Sequence, residues 1–177
     1  MKRVKAILVV GLFVCGLAGL GWAQSTATHD VTININEIAE INVNGSAVTL
    51  TVTAPGTGGS NPQGDSNSDA QLQYTSVVSG TTRNISAKIS SGSVPNGVAL
   101  AVQPTGTPGS NEGTYGSAVT LDATDQNIVT GIESCATGIT ASDGATLGYT
   151  LSVTDPTQLN YGSDTTVTIT YTLTDDA

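Results

Sequence analysis

Apolar and polar residues alternate along most of this chain, and the alternation predicts β-strands. In the last run, TVTITYTLTDDA, every second position from Val167 to Leu173 is apolar, namely Val167, Ile169, Tyr171 and Leu173. Successive side chains of a strand point to opposite faces, so this run has one apolar face and one face of threonines. We therefore expect a terminal strand whose four apolar side chains face a core.

The same alternation recurs throughout the chain after the first residues. The other predicted strands are HDVTININ, AEINVN, AVTLTVT, AQLQYTSVV, RNISAKI, GVALAVQ, SAVTL, NIVTGI and ATLGYTLSVT. No long window shows the 3.6-residue apolar period of an amphipathic helix. Many short strands without helices predict an all-β fold, a single antiparallel β-sandwich of the immunoglobulin-like or Greek-key kind with roughly nine or ten strands. The unequal loop lengths favour a sandwich over an up-and-down barrel.

The start of the chain, residues 1–23, has the pattern of a secretory signal peptide. It opens with the cationic residues Lys2, Arg3 and Lys5. An uncharged apolar run follows, and small residues stand at Gly21 and Ala23, where a signal peptidase reads the chain. We predict cleavage between Ala23 and Gln24, one sandwich domain over residues 24–177, and a secreted or cell-surface location.

Charge excludes several classes of partner. Without the predicted signal peptide only Arg83 and Lys88 are cationic, against 14 acidic residues, a formal net charge of −12. Contacts to nucleic acid need a basic surface, and so does attraction to an anionic membrane. We therefore expect no nucleic-acid partner and no stable membrane insertion after cleavage.

Groups for catalysis are scarce. His29 is the only histidine, and it lies close to the predicted mature N-terminus. Cys135 is the only cysteine after the signal peptide, and it is either a small buried side chain or the site of a disulfide between two subunits. The only aromatic residues after residue 23 are five tyrosines, of which Tyr115 and Tyr161 lie in predicted loops. These observations predict a protein that is not an enzyme.

Two predicted loops, residues 54–69 and 104–117, are long and rich in Gly, Ser, Asn and Pro. The first ends in DSNSD, which places three oxygen-bearing side chains at alternate positions, Asp65, Asn67 and Asp69. A calcium loop of the EF-hand kind begins in this way. Ala70 stands where the turn glycine belongs and Ser76 where the bidentate glutamate belongs, so this is half of a motif. It is the one candidate metal site, for Ca²⁺, and no other cofactor is expected.

The predicted strands lack the features that usually protect a sheet edge. Soluble proteins place lysine or proline on edge strands, whereas this domain has one lysine and its six prolines fall in predicted loops. Unprotected edges accept additional strands from other molecules. The segment HDVTININ follows a polar leader, residues 24–28, and is the better candidate for donation to a neighbouring subunit.

A signal peptide, strands rich in Thr and Val, and the terminal run DTTVTITYTLTD together resemble small secreted β-sandwich proteins of bacterial surfaces, among them fimbrial and spore-coat-protein-U-like subunits. The chain departs from the fimbrial pattern because no cysteine pair stands near the start of the mature domain. The resemblance implies a structural protein of the cell surface or of an extracellular filament that self-associates. The alternative is a monomeric adhesion or ligand-binding module that uses the long loops, with or without Ca²⁺. The sequons at Asn44 and Asn84 matter only in a source that glycosylates them.

Overall fold

The computed structural model of this protein describes residues 25–162 and 164–176, which form ten β-strands and one short 3-10 turn. The strands are β1 (Ile38–Asn44), β2 (Asp65–Val77), β3 (Arg83–Ser91), β4 (Val98–Thr105), β5 (Thr114–Tyr115), β6 (Val119–Thr120), β7 (Gln126–Ile132), β8 (Cys135–Ala136), β9 (Ala145–Val153) and β10 (Thr168–Asp175), and the turn spans Pro156–Gln158. One antiparallel sheet has the order β1-β2-β9-β4-β6, with β8 beside β2, and the other has the order β10-β3-β7-β5. The two sheets pack face to face, which confirms the predicted all-β sandwich.

The core lies between the two sheets and follows the period-2 pattern of the strands. Its fully buried apolar side chains are Leu72, Ile85, Ala87, Val102, Ile128, Val129, Ile132, Ala145 and Leu147. The chain passes from one sheet to the other at most connections, so neighbouring strands are distant in sequence. The core therefore depends on contacts between remote parts of the chain.

The terminal strand is present, but it begins at Thr168, so the predicted strand residue Val167 lies just before it and still packs against the core. β10 pairs antiparallel with β3, from Thr168 opposite Ser91 to Asp175 opposite Arg83. The apolar residues of β10 pack against the core but remain partly exposed, and they are Ile169, Tyr171 and Leu173. Their incomplete burial follows from the position of β10 at the edge of its sheet.

Two predicted strands are wrong. Residues 25–37, which include HDVTININ, have no strand assignment. AVTLTVT forms only an isolated bridge between Thr53 and Gln63. This segment does not form a regular strand in part because the Thr51 backbone amide donates to the Asp65 carboxylate at 3.1 Å rather than to a neighbouring strand. Val48 and Leu50 are nevertheless half-buried against the core, as their alternation predicts.

The second predicted loop contains more structure than its composition indicates. Pro104 lies in β4 and is fully buried, so the prediction that every proline falls in a loop is wrong. It sits beyond Ala101 and Val102, the two residues at which β6 pairs with β4, where the strand has one neighbour and a missing amide is tolerated. Tyr115 was expected in a loop, but it lies in β5 and is half-buried against the core.

Candidate functional site: the open side of the sandwich

The two sides of the sandwich end differently. On one side the outer strands are β5 and β6, each of two residues, and the chain crosses directly from one to the other. On the other side the outer strands are β1 and β10, of seven and eight residues. Within residues 25–162 and 164–176, no strand pairs with the outer edge of either β1 or β10. We call the side formed by β1 and β10 the open side.

Core-facing residues on the open side are incompletely covered. Val43 of β1 lies opposite the fully buried Leu72, yet it is 42% exposed. Ile41, its neighbour on the same face, is half-buried. Across the sandwich β1 contacts β10, whose core-facing side chains are also half-buried. We call this set the seam, and it comprises Ile41, Val43, Ile169, Tyr171 and Leu173. Full burial of a Val, Ile or Leu side chain stabilises a protein by about 1.5–3 kcal/mol, so covering the seam with another strand would be favourable.

The edges of the open side carry none of the usual protection. β10 reads TITYTLTD and β1 reads IAEINVN, without lysine, arginine or proline in either strand. Each strand instead contains one acidic residue, Glu40 in β1 and Asp175 in β10. Long edge strands of this kind are templates for another strand.

The N-terminal segment, residues 29–36, has an alternating pattern and exposed apolar side chains. Val31, Ile33 and Ile35 are 70%, 80% and 83% exposed. They stand two residues apart, as do Ile169, Tyr171 and Leu173 of β10. Three exposed β-branched residues at this spacing form one apolar face as soon as the segment becomes a strand.

A buried arginine lies at one end of the open side. Arg83, the first residue of β3, is 3% exposed. Its Nε donates to Asp175 at 2.8 Å, and its Nη2 donates to Glu37. Its Nη1 donates to the carbonyl of Ile38 and, at 3.3 Å, to the hydroxyl of Ser76. One guanidinium therefore joins the start of β1 to the end of β10 and to β2.

The residues predicted to bind calcium lie elsewhere, and their setting differs from the prediction. The first long loop ends earlier than residue 69, because β2 already begins at Asp65. Between Asn67 and Ala70 the pairing of β2 with β9 shifts register, which marks a bulge. The side-chain amide of Asn67 donates to the Asp69 carboxylate at 2.8 Å, and the backbone amide of Asp69 donates to the Asn67 side-chain oxygen at 3.0 Å. The Asp65 carboxylate accepts from the backbone amides of Thr51 and Ser66.

These carboxylates already have donors from the protein itself. In the part of the chain that the structure describes, no group of three or more His, Cys, Asp or Glu residues is placed to hold a metal ion. The bulge borders a polar depression of about 290 Å³, which is lined by Ser66, Asn67, Ser68, Asp69, Gly148, Tyr149 and Thr150. Calcium binding by Asp65, Asn67 and Asp69 stays a prediction.

Cys135 lies in β8, paired with Ser76 of β2, and is half-buried without a disulfide partner among the described residues. Burial raises the pKa of its thiol, and the nearby Glu112 carboxylate adds to this effect. A raised pKa lowers the fraction of the reactive thiolate at neutral pH, which disfavours disulfide exchange at this position. The disulfide between subunits stays a prediction, and the cleavage site at Ala23 and Gln24 lies outside the described residues.

Comparison with known proteins adds no relative. No family model, no curated protein and no solved structure matches this chain. Among residues 25–162 and 164–176 the structure contains no helix long and apolar enough to cross a membrane. The open side and the N-terminal segment are therefore the features of this protein that indicate a function.

Proposed function

We propose that this protein is a secreted, non-enzymatic structural subunit that assembles through its sheet edges. The N-terminal segment of one copy, residues 29–36, adds as a strand to the open side of the next copy. The observation that carries the proposal is the exposure of Val31, Ile33 and Ile35, whose alternating pattern belongs to a strand although the segment is not in a sheet. Repetition of this contact from copy to copy produces a filament.

The outer edge of β10 is the acceptor that the geometry favours. β10 and the donated segment have equal lengths, eight residues each, and the same number of alternating apolar positions. A strand added beside β10 extends the sheet and places its apolar face over the seam, where Val43 and Tyr171 are incompletely buried. Main-chain hydrogen bonds and apolar burial then act together.

Charge is compatible with this contact. The donated segment carries His29 and Asp30 at its start and only uncharged residues from Val31 to Asn36. The acceptor strand is uncharged until Asp175. The strongly acidic domains thus meet through their uncharged strands, and like-charge repulsion at the contact is small.

Deletion and complementation test the proposal. We expect the protein from Gln24 to Ala177 to form filaments that are visible by electron microscopy. The variant that lacks residues 24–36 should stay folded by circular dichroism and remain monomeric. A synthetic peptide of residues 29–36 should bind that variant, whereas a peptide with Val31, Ile33 and Ile35 replaced by Ser should not.

Two results would overturn the proposal. One is a monodisperse monomer of the complete protein at high concentration, which favours the adhesion or ligand-binding module instead. The other is an unfolded deletion variant that the peptide does not rescue, because the segment then belongs to its own sandwich. A Thr168→Lys/Thr172→Lys variant localises the acceptor, since lysine on an edge strand opposes the addition of another strand.

A further inference from the structure

Arg83 stands out among the groups that the proposed contact does not use. It is a cation at 3% exposure in a domain whose only other cation after the signal peptide is Lys88. Burial of a charge is costly unless it is paired and hydrogen-bonded, and Arg83 meets both conditions. Its carboxylate partners, Glu37 and Asp175, are 65% and 61% exposed, so the guanidinium is buried while both carboxylates lie at the surface.

The positions of these partners in the chain carry the inference. Glu37 directly follows the exposed segment, and Ile38, whose carbonyl also accepts from Arg83, is the first residue of β1. Asp175 is the last residue of β10, the proposed acceptor. The root of the donated segment and the end of the acceptor strand are therefore fastened to one planar group with fixed donor directions.

We infer that Arg83 sets the angle between the incoming and the outgoing strand of each copy. This inference rests on the proposed function, and Arg83 acts in it as a positioning residue, since it touches neither donated strand. When Arg83 holds Glu37, no flexible residue separates the donated segment from the domain, so the direction of the segment is fixed. The same guanidinium holds the end of β10, so each copy passes on one orientation and the filament is regular.

Single charge removals at the two partners test the inference. Glu37→Gln frees the root of the donor, and Asp175→Asn frees the end of the acceptor, while both substitutions keep the side-chain size. We expect both variants to form filaments whose images lose the helical layer lines of the natural protein. For Glu37→Gln in the variant lacking residues 24–36, binding of the 29–36 peptide should stay within about twofold, because the acceptor is unchanged.

Two matched controls separate geometry from stability. Asp125→Asn removes the Lys88–Asp125 ion pair, which is also 2.8 Å long and on the same sheet, and it should leave the filaments regular. Val102→Ala makes a cavity at a fully buried position of the other sheet, and it should lower the melting temperature without loss of order.

Three results would overturn the inference. Regular filaments from both Glu37→Gln and Asp175→Asn would show that Arg83 does not set the angle between the incoming and the outgoing strand, while the proposed function would stand. Loss of order in Val102→Ala would show that order follows stability alone. Absence of filaments from the natural protein would remove the proposed function and this inference with it.

Discussion

The hydroxyl groups of Tyr149 and Tyr171 lie 2.6 Å apart and hydrogen-bond to each other across the sandwich. Tyr149 belongs to β9 in one sheet and Tyr171 to β10 in the other. The pair therefore fastens the edge strand of the open side to the centre of the opposite sheet.

We expect Tyr171→Phe to cost about 1–3 kcal/mol of the free energy of unfolding, because it leaves the buried Tyr149 hydroxyl without a partner. Tyr149→Phe should have an effect of similar size. The double variant should cost less than the sum of the two, since both polar groups are then removed together. Urea unfolding of the four proteins measures this coupling, and strictly additive losses would show that the hydrogen bond contributes nothing specific.

High pH should destabilise the domain. Burial raises the pKa of Tyr74, Tyr149 and Tyr171 above the ordinary value of 10.0. In the unfolded chain these hydroxyl groups lose protons above pH 10, while in the folded protein they keep them, so the unfolded state gains stability as pH rises. The contribution of these tyrosines to the free energy of unfolding is therefore fully present below pH 10 and is lost as the pH rises above it.

Thermal unfolding between pH 8 and 12 measures this loss. Tyr74→Phe and the double Tyr149→Phe/Tyr171→Phe variant should each flatten the decline, because fewer groups then titrate differently in the two states. Tyr161→Phe is the matched control, since Tyr161 is fully exposed. An equally steep decline in all variants would assign the loss to other groups.

Truncation after Gly162 should give an unfolded product. The three apolar side chains of β10, each about half-buried, together contribute roughly 2–5 kcal/mol, which is a large share of the 5–15 kcal/mol that stabilises a typical domain. The truncation also removes Asp175 from the buried Arg83 and exposes Ile85 of β3. Removal of residues 176–177 alone is the control and should leave a folded domain by circular dichroism. A cooperative melting transition in the longer truncation would contradict this prediction.

The folded domain over residues 24–177 should resist trypsin. Its two cleavable residues, Arg83 and Lys88, both lie in β3. Arg83 is buried, and Lys88 forms an ion pair with Asp125 at 2.8 Å. β3 has a strand on each side, so its backbone cannot enter a protease cleft without local unfolding. Mass spectrometry should show an intact chain in buffer and cleavage after both residues in urea. Rapid cleavage in buffer would mean that β3 opens while the rest stays folded.

Calcium should have no effect on the melting temperature. The Asp65 and Asp69 side chains already accept hydrogen bonds from Thr51, Ser66 and Asn67, so binding an ion requires those bonds to break. A ligand that binds only the folded state raises the melting temperature. A clear rise in millimolar Ca²⁺ that disappears in Asp65→Ala/Asp69→Ala would contradict this expectation and support the half-motif as a site.

The chain's own pattern was sufficient for the fold class and for most strands. Alternation predicted β4, β9 and β10 because alternate side chains of each strand face the core, and burial on one face is what a period of two records. β5 and β8 were missed because two residues are too few to show a period. The loop over residues 54–69 was predicted too long because the polar residues at the bulged start of β2 resemble those of a loop.

Tertiary structure alone decided which alternating segments found a partner. HDVTININ and TVTITYTLT have equally regular patterns, yet only the second is a strand, because pairing depends on a neighbour that lies far away in sequence. The buried role of Arg83 was likewise not predictable from the sequence, since its ion-pair partners Glu37 and Asp175 come from remote parts of the chain. A local pattern records which face of a strand is apolar, whereas the folded chain decides what covers that face.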